Sequence, residues 1–265
     1  MQKINFFDTI NNIWRKMLDK ICQLARSAGH CIMKLYNSQK FINVSYKPDN
    51  TPITDVDYAA NNIIKKGLSL ISPQIPIISE EESYNFEICR NWNSYWLVDP
   101  LDGTKEFLKK NGEFTVNISL IEYGVPILGV IYAPFFDVLY SAFYDNAWKE
   151  EKFGSKKKIN VAQAEAPLLV ISRSHPNETL KNYLEKIKCC KIKKMGSSLK
   201  FCLIAEGTAQ IYPRFGDTHI WDTAAGHAIV IAAGGKVQTW TGSNLNYSLS
   251  SRVSFINSGF YASAL

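Results

Sequence analysis

The stretch WLVDPLDGTKEF, residues 96–107, places two carboxylates three residues apart directly after an apolar run. Residues 96–98, Trp-Leu-Val, are typical of a buried strand, and Asp99 and Asp102 come at its exit. Two negative charges held at the rim of a sheet require a positive partner, because a buried charge without one is costly. The spacing therefore predicts a strand that ends at a site for a cation.

Length and composition describe a folded protein rather than a linker or a tail. With 265 residues, 46% of them hydrophobic and 20% charged, the chain can form one or two domains with a sizeable core. The formal net charge of +6 is compatible with an anionic small substrate, a nucleic acid or an acidic membrane surface. Two Lys-rich stretches, 156–158 and 181–194, do not alternate with aromatic residues, so we expect solvated faces and loops there and no stable nucleic-acid partner.

Targeting features and cysteine usage both indicate the cytosol. Asp8 and several Asn interrupt the apolar run that a secretory signal requires, and the longest charge-free stretch, 123–136, contains two prolines and is too short to span a bilayer. No CxxC pair and no histidine at zinc-finger distance accompany the six cysteines, which disfavours a metal-thiolate site. We expect reduced, mostly buried thiols at Cys22, Cys31, Cys89, Cys189, Cys190 and Cys202.

Helical periodicity dominates the first seventy residues, and strand patterns follow. Residues 17–36 and 54–72 carry apolar side chains at helical spacing, and Thr54 is a suitable cap for the second helix. Between residues 75 and 144, short β-rich runs are joined by turn-forming residues, and the turn at Tyr123 and Gly124 predicts antiparallel neighbours.

After about residue 150 the pattern changes to shorter units that alternate strand and helix. LLVIS and AQIYPRF are typical of strands, whereas residues 178–187, GSSLKFCLIAEG and TAAGHAIVIAAGG are typical of helices. We therefore expect an N-terminal α+β subdomain, 1–150, that carries most metal ligands. A C-terminal α/β subdomain, 151–265, would follow it.

Candidate metal ligands lie at the boundaries of these elements. Mg²⁺ takes oxygen ligands, so its sites appear in a sequence as separated carboxylates at strand ends and helix starts. Such carboxylates occur at Asp57, Glu80, Glu81, Asp99, Asp102 and Asp222. In DPLDGT the carbonyl of Leu101 lies between two aspartates that could bridge two cations, and Gly103 lets backbone N–H groups approach a phosphate oxygen.

Three of these acids also have a plain structural explanation. Asp57 follows Thr54 by three residues, as in a capping box. Asp222 would favour a helix N-terminus through the helix dipole, and Asp99 before a proline is an ordinary turn residue. The combination, rather than any single residue, favours a metal site next to a phosphate site.

Longer motifs resemble a known family. WLVDPLDGTKEF, the upstream SEE and the later WDTAAGHAIVIAAGG are similar to the lithium-sensitive, magnesium-dependent phosphatases of the inositol monophosphatase superfamily. NGEFTVNISLIEYGVPILGVIYAP, ISRSHP, GSSLKFCLIAEGTAQIYPRFG and IWDTAAGH resemble its CysQ-type branch, the 3'(2'),5'-bisphosphate nucleotidases, and the similarity covers residues 17–262. The resemblance implies an α/β (α+β) fold, a layered αβαβα sandwich of the inositol monophosphatase and fructose-bisphosphatase type.

The resemblance also implies roles for individual residues. Asp57 and Thr104 match the pair that positions and deprotonates the attacking water. Two or three Mg²⁺ ions would bind Glu80, Asp99, Leu101, Asp102 and Asp222. The substrate would contact a set that overlaps with these ligands, namely Glu80, Leu101, Asp102, Gly103, Thr104, Ser197, Lys200, Arg214 and Asp222.

The resemblance implies that the subdomain 151–265 completes the active site and binds the nucleotide. Nucleotide preference would depend on two regions. Inositol monophosphatases usually have Thr-Asn directly after the shared DGT. This chain has Lys105 and Glu106 there instead, and so resembles the CysQ-type enzymes. Ser197, Lys200 and Arg214 would meet the non-reacting phosphate or the ribose, since arginine makes a forked, charged contact that suits phosphate. The alternative for Lys200 is an exposed helix lysine without a role in binding.

The implied reaction is magnesium-dependent hydrolysis of adenosine 3',5'-bisphosphate to AMP and phosphate, with its sulfated analogue PAPS as a further substrate, in sulfur assimilation. Two rivals stay open: an inositol or sugar phosphate phosphatase with the same metals, and a nucleotide-binding protein without catalysis. We expect a cytoplasmic monomer or homodimer, compatible with peripheral contact with the cytoplasmic face of the inner membrane. We assign His175 no role in the site.

The residues before Met17 lie outside the resemblance. They would form an added amphipathic helix or reflect an upstream start, and the apolar residues concerned are Phe6, Phe7, Ile10, Ile13 and Trp14.

Overall fold

The computed structural model describes residues 6–38, 43–47, 51–152, 154–174, 178–187 and 191–264, with side chains from residue 14 onward. The α-helices are α1 (Phe6–Tyr36), α2 (Asp55–Ile71), α3 (Phe86–Cys89), α4 (Thr104–Leu108), α5 (Glu178–Lys186), α6 (Leu199–Ala205) and α7 (Ala224–Ala232). A 3₁₀ turn covers Leu249–Ser251.

The strands form two larger sheets and two short pairs. Their bounds are β1 (Val44–Tyr46), β2 (Pro52–Thr54), β3 (Ile77–Ser79), β4 (Ser94–Asp102), β5 (Thr115–Glu122), β6 (Val125–Ala133), β7 (Val138–Phe143), β8 (Asn146–Glu151), β9 (Lys157–Lys158), β10 (Leu168–Ser172), β11 (Lys191–Met195), β12 (Ile211–Arg214), β13 (Thr218–His219), β14 (Lys236–Thr239), β15 (Ile256–Asn257) and β16 (Phe260–Ser263). Within the described residues, β3 to β9 form the first sheet in sequence order, and the second has the order β11-β10-β12-β16-β14. Only β3 and β4 run parallel in the first sheet, whereas β10 pairs in parallel with both β11 and β12.

Helices α1 and α2 cover one face of the first sheet. Ile21, Ala25, Ala28 and Ile32 of α1 follow helical spacing and are fully buried, which gives the helix one apolar stripe. This stripe packs against α2 and against β5 and β6. The N-terminal half of the protein thus has a core of its own.

Helices α6 and α7 lie between the two sheets. α7 is apolar on almost every side, as expected for a helix that is covered on both faces. A Cβ on Gly129 of β6 would lie 2.4 Å from the carbonyl oxygen of Ala225, so glycine is required for this close approach of helix and sheet. Tyr183 of α5 contacts Phe215 and Trp240, which follow β12 and β14, and so places α5 against the second sheet. The layers therefore match the expected αβαβα sandwich.

Several sequence predictions need adjustment. α1 begins at Phe6 rather than Met17, so the N-terminal extension is helical from that point and continuous with the predicted helix. Residues 191–194 end the Lys-rich stretch that we expect in a solvated face or loop. They are exposed, and together with Met195 they form the edge strand β11, where lysines discourage pairing with another chain. α6 begins three residues into GSSLKF, because residues 196–198 form a separate turn.

The first sheet continues through β8 and β9 as far as Lys158, and the second sheet begins with β10 at Leu168. The subdomain boundary near residue 150 stays a prediction.

The described cysteines are free thiols, and all but Cys31 are buried: Cys22, Cys31, Cys89 and Cys202. Outside the described residues lie Cys189, Cys190 and His175. Within the described helices, none has the length and apolarity needed to cross a bilayer.

Candidate active site

The exit of β4 brings two aspartates to one side of the sheet. Asp99 pairs with Asn117 of β5 and Asp102 pairs with Thr115, so between these pairs two residues on β4 oppose one on β5. In a regular strand, two residues three positions apart lie on opposite faces of the sheet. The bulge inserts one extra residue, so both aspartates lie on the same face. The DPLD spacing is therefore the local cause of the acidic site.

Two further carboxylates reach the same place from different elements. Glu80 directly follows β3, and its N–H donates to the carbonyl of Val98 on the neighbouring β4 (3.1 Å). Asp222 precedes α7 and accepts a hydrogen bond from the N–H of His219 (2.9 Å). One carboxylate oxygen each from Glu80, Asp99 and Asp222 lies within 4.8 Å of the others.

The electrostatics of this group favour a bound cation. Burial raises the pKa of Asp99 well above its ordinary value, and the neighbouring charges of Glu80, Asp102 and Asp222 raise it further. The pKa of Asp222 is also raised well above its ordinary value, by burial and by the charges of Asp102 and Glu80. Oxygen donors with this much mutual repulsion fit a hard divalent cation, which would offset the repulsion.

Asp102 lines the same cleft but is not among the three acids that lie within 4.8 Å of one another. Its Oδ2 instead accepts hydrogen bonds from Ser197, Ser198 and Asn117. The carbonyl oxygen of Leu101 lies 3.3 Å from the hydroxyl oxygen of Thr104. The metal-ligand roles of Asp102 and Leu101 stay predictions.

Asp57 takes part both in a capping box with Thr54 and in a contact with Thr104. Its Oδ2 accepts hydrogen bonds from the N–H (2.8 Å) and hydroxyl (2.6 Å) of Thr54, and the Thr54 hydroxyl caps α2 in return, which completes the capping box. Its Oδ1 accepts a hydrogen bond from the hydroxyl of Thr104 at the start of α4 (3.1 Å). Burial raises the pKa of Asp57 to about 6. Capping and contact with Thr104 therefore coexist.

A cleft of about 550 Å³ connects these residues with the predicted nucleotide contacts. Among the predicted site residues, those that line it are Glu80, Asp99, Leu101, Asp102, Gly103, Thr104, Ser197, Lys200, Arg214 and Asp222. Asp57 reaches this set through Thr104. The sequence thus identified a group of residues that the fold brings together.

The nucleotide end of the cleft differs in detail from the sequence expectation. Lys200 is not an exposed helix lysine, because only 5% of it is accessible; its Nζ donates to the carbonyls of Ser197 and Met195. Burial lowers its pKa to about 8. Arg214 donates from Nε to the carbonyl of Gly216 and from Nη2 to that of Asp217, which fixes its guanidinium at the wall of the cleft.

Sequence reasoning missed Lys47, the residue that follows β1. Its Nζ lies 2.7 Å from Glu80 Oε1 and 3.1 Å from Glu81 Oε1. Burial raises the pKa of Glu81 to about 7, and its Oε2 is buried without a hydrogen-bond partner among the described residues. A lone lysine more than thirty residues away from these acids gives no spacing pattern that could have identified it.

Comparison with known proteins agrees with this geometry. The model of the inositol monophosphatase family matches residues 14–263. The chain belongs to the inositol monophosphatase family. Its fold agrees, since the crystal structure of CysQ from Bacteroides thetaiotaomicron, a bacterial member of that family, superposes with a TM-score of 0.81 at 35% identity and covers 94% of this chain and 97% of that one.

Two bacterial relatives carry the same functional name. The chain is 55% identical over 247 residues to the 3'(2'),5'-bisphosphate nucleotidase CysQ of Escherichia coli K12, which covers 93% of this chain and 99% of that protein. It is 33% identical to CysQ of Haemophilus influenzae over 81% of each chain. The resemblance to the CysQ-type branch is confirmed.

Proposed function

We propose that this protein is a 3'(2'),5'-bisphosphate nucleotidase that hydrolyses adenosine 3',5'-bisphosphate to AMP and phosphate. The observation that carries the proposal is 55% identity over almost the full length of a protein of that name. The acidic group of Glu80, Asp99 and Asp222 and the contact of Asp57 with Thr104 supply a site suited to the reaction.

Glu80, Asp99 and Asp222 would hold a divalent metal ion, for which the hard carboxylate donors favour Mg²⁺. We expect two or three ions, with Asp102 and the Leu101 carbonyl as further ligands. Bound Mg²⁺ supplies charge stabilisation of the phosphoryl oxygens and lowers the pKa of water. The family resemblance adds inhibition by Li⁺.

Asp57 and Thr104 would manage the proton of the attacking water. The Thr104 hydroxyl can accept a hydrogen bond from water while donating its own proton to Asp57 Oδ1. A carboxylate with a pKa of about 6 is suited to general-base work near neutral pH. The water oxygen forms the new bond to phosphorus, and the bond from phosphorus to the 3'-oxygen of the ribose breaks. The water proton passes towards Asp57, and the departing 3'-oxygen takes up a proton from solvent to become the 3'-hydroxyl of AMP.

Lys200 and Arg214 would bind the 5'-phosphate, which does not react. Both line the cleft on the side of the second sheet, and the carbonyl contacts of Arg214 hold its guanidinium in place before substrate arrives. Lys105 and Glu106 also line the cleft, and the Ser174 hydroxyl donates to Glu106. We further propose action on PAPS, a role in sulfur assimilation and a cytoplasmic location.

Product identification tests the proposal. Purified protein with Mg²⁺ and adenosine 3',5'-bisphosphate should give 5'-AMP and one equivalent of phosphate, and both should disappear in excess EDTA. Chromatographic separation of 5'-AMP from 3'-AMP shows which phosphate was removed. Turnover at full rate in EDTA, or 3'-AMP as the product, would overturn the assignment.

A further inference from the structure

The Oδ2 atom of Asp102 is a point where several donors converge. It accepts hydrogen bonds from the N–H of Ser198 (2.6 Å), the hydroxyl of Ser198 (2.7 Å), the hydroxyl of Ser197 (2.8 Å) and the side-chain amide of Asn117 (3.3 Å). Every hydrogen bond to this carboxylate within the described part of the chain ends on Oδ2. Oδ1 is therefore the oxygen that Asp102 has available for a cation.

The hydroxyl protons of the network have a consistent arrangement. Ser198 Oγ accepts from Asn117 Nδ2 (2.8 Å), so its single proton can go to Asp102 or to the carbonyl of Asp222 (3.0 Å), and the charged acceptor is the stronger one. Thr115 Oγ1 lies 2.8 Å from Asn117 Oδ1 and 2.5 Å from Ser197 Oγ, so its single proton goes to one of these two acceptors, while the Ser197 hydroxyl donates to Asp102 Oδ2. Both serine hydroxyls thus point a proton at the carboxylate.

The turn that carries these serines is itself held in place. Gly196 N–H donates to Glu113 Oε2 (2.6 Å), and Arg173 donates to both oxygens of that glutamate. A Cβ on Gly196 would lie 2.7 Å from Glu106 Cγ and 2.9 Å from the Glu113 carbonyl oxygen, so only glycine fits. Ser197 has a φ of +54°, a left-handed conformation that non-glycine residues adopt at some cost. A strained serine fixed from both sides is typical of a functional constraint.

We propose that the turn Gly196–Ser198 is a positioning element for the metal site, in which Ser197 and Ser198 orient Asp102 so that Oδ1 faces the cation. The inference rests on the proposed function only in taking Asp102 as a ligand. It gives Ser197 a different role from the substrate contact that the sequence suggested. It also makes the cation site dependent on the turn between β11 and α6, although Asp102 belongs to the first sheet.

Two variants distinguish a role of the serines in positioning Asp102 from an effect on folding. Ser197→Gly removes one hydroxyl while suiting the left-handed conformation, so the melting temperature should stay within about 3 °C of the wild type. Ser198→Ala removes the second hydroxyl but keeps the backbone donor. Ser119→Ala is the matched control, since it removes a buried hydroxyl that donates to the Leu128 carbonyl (2.7 Å) rather than to Asp102.

The measurement is the Kd of the metal-stripped protein for Mn²⁺, by electron paramagnetic resonance, with Mg²⁺ as competitor. Loss of an outer hydrogen bond to a metal ligand typically weakens binding about 10- to 100-fold, so both serine variants should show a rise of that order and the control should not. The same preparations are then assayed for KM with adenosine 3',5'-bisphosphate at saturating Mg²⁺.

The outcomes are distinct. An unchanged Mn²⁺ Kd in Ser197→Gly and Ser198→Ala would overturn the positioning role, and a raised KM in Ser197→Gly with that unchanged Kd would assign Ser197 to the substrate. A raised Kd in both variants, in a protein whose wild type binds Mn²⁺ but does not hydrolyse the nucleotide, would support the positioning role and refute the proposed function.

Discussion

Replacing Asp57 with asparagine should abolish turnover without unfolding the protein. The side chain has two sets of contacts: Oδ2 with Thr54, which caps α2, and Oδ1 with Thr104. Asparagine keeps one acceptor oxygen for Thr54 and presents an amide to Thr104, so most of the cap survives while the proton acceptor is lost.

The expected magnitudes follow from burial. Loss of a cap costs about 1 kcal/mol at most sites. Against this, burial raises the folded-state pKa of Asp57 from 3.8 to about 6, so its protonated form stabilises the fold at low pH. Roughly 3 kcal/mol of the free energy of unfolding is lost as pH rises from about 4 through about 6. The Asp57→Asn variant has no charge to bury and so lacks this penalty. Without metal, the melting temperature of the variant at pH 7.5 should therefore equal or exceed that of the wild type.

The rate should respond very differently. Loss of a general base lowers kcat by a factor of about 10² to 10⁴, equivalent to about 3–5 kcal/mol of activation free energy. Thr104→Ala should behave alike, and the double variant should be little worse than either single one, because the two residues act as a unit.

The assays are thermal unfolding in excess EDTA and phosphate release with Mg²⁺. Asp55→Asn is the control: Asp55 lies in the same first turn of α2 but is exposed, and it accepts a hydrogen bond from Asn43 instead. If Asp57→Asn loses stability beyond this control and retains most of its kcat, Asp57 is only a cap. The base would then have to be sought elsewhere, with Glu81 the next candidate.

Three further variants test other parts of the site and fold. Asp99→Asn should weaken Mg²⁺ binding, measured by calorimetry, and raise the melting temperature in EDTA, because one charge leaves a repelling group. Arg214→Ala should raise KM for adenosine 3',5'-bisphosphate far more than for 3'-AMP, since a charged hydrogen bond is worth roughly 1.5–3 kcal/mol; equal changes would remove Arg214 from the phosphate site. Burial lowers the pKa of His227 to about 3, so its neutral form stabilises the fold above pH 6.5 and this contribution declines as pH falls from there. Between pH 7.5 and 5, denaturant titrations should show a loss of about 2 kcal/mol that His227→Gln lacks.

The parts of the site that the sequence could predict are those encoded by local spacing. DPLDGT specifies a bulge and a helix start within a few residues, and Asp57 follows its capping partner Thr54 by three positions. Such arrangements depend on backbone geometry that repeats from protein to protein. Glu80 and Asp222 were candidates because they lie at element boundaries. Only the resemblance to a family joined them to the same metal site, since their distance in sequence gives no geometric clue.

The parts that could not be predicted depend on contacts between distant segments. Asp102 and Ser198 are 96 residues apart, and Gly196 and Glu113 are 83 apart, so neither pair leaves a pattern in one sequence. The burial of Lys200 was more accessible to prediction, because it lies within the apolar run LKFCLIA, where an exposed lysine is less expected. β11 was missed because its lysines face solvent on an edge strand and hide the usual apolar alternation.

The most direct test of the account is a comparison of kcat/KM for adenosine 3',5'-bisphosphate, myo-inositol 1-phosphate and fructose 1,6-bisphosphate at saturating Mg²⁺. If Lys200 and Arg214 bind the non-reacting phosphate of a nucleotide, the bisphosphate nucleotide should be preferred by on the order of 100-fold or more. Equal or greater kcat/KM for inositol phosphate or the sugar bisphosphate would contradict the proposed substrate, and no turnover of any of the three would contradict the proposed enzyme.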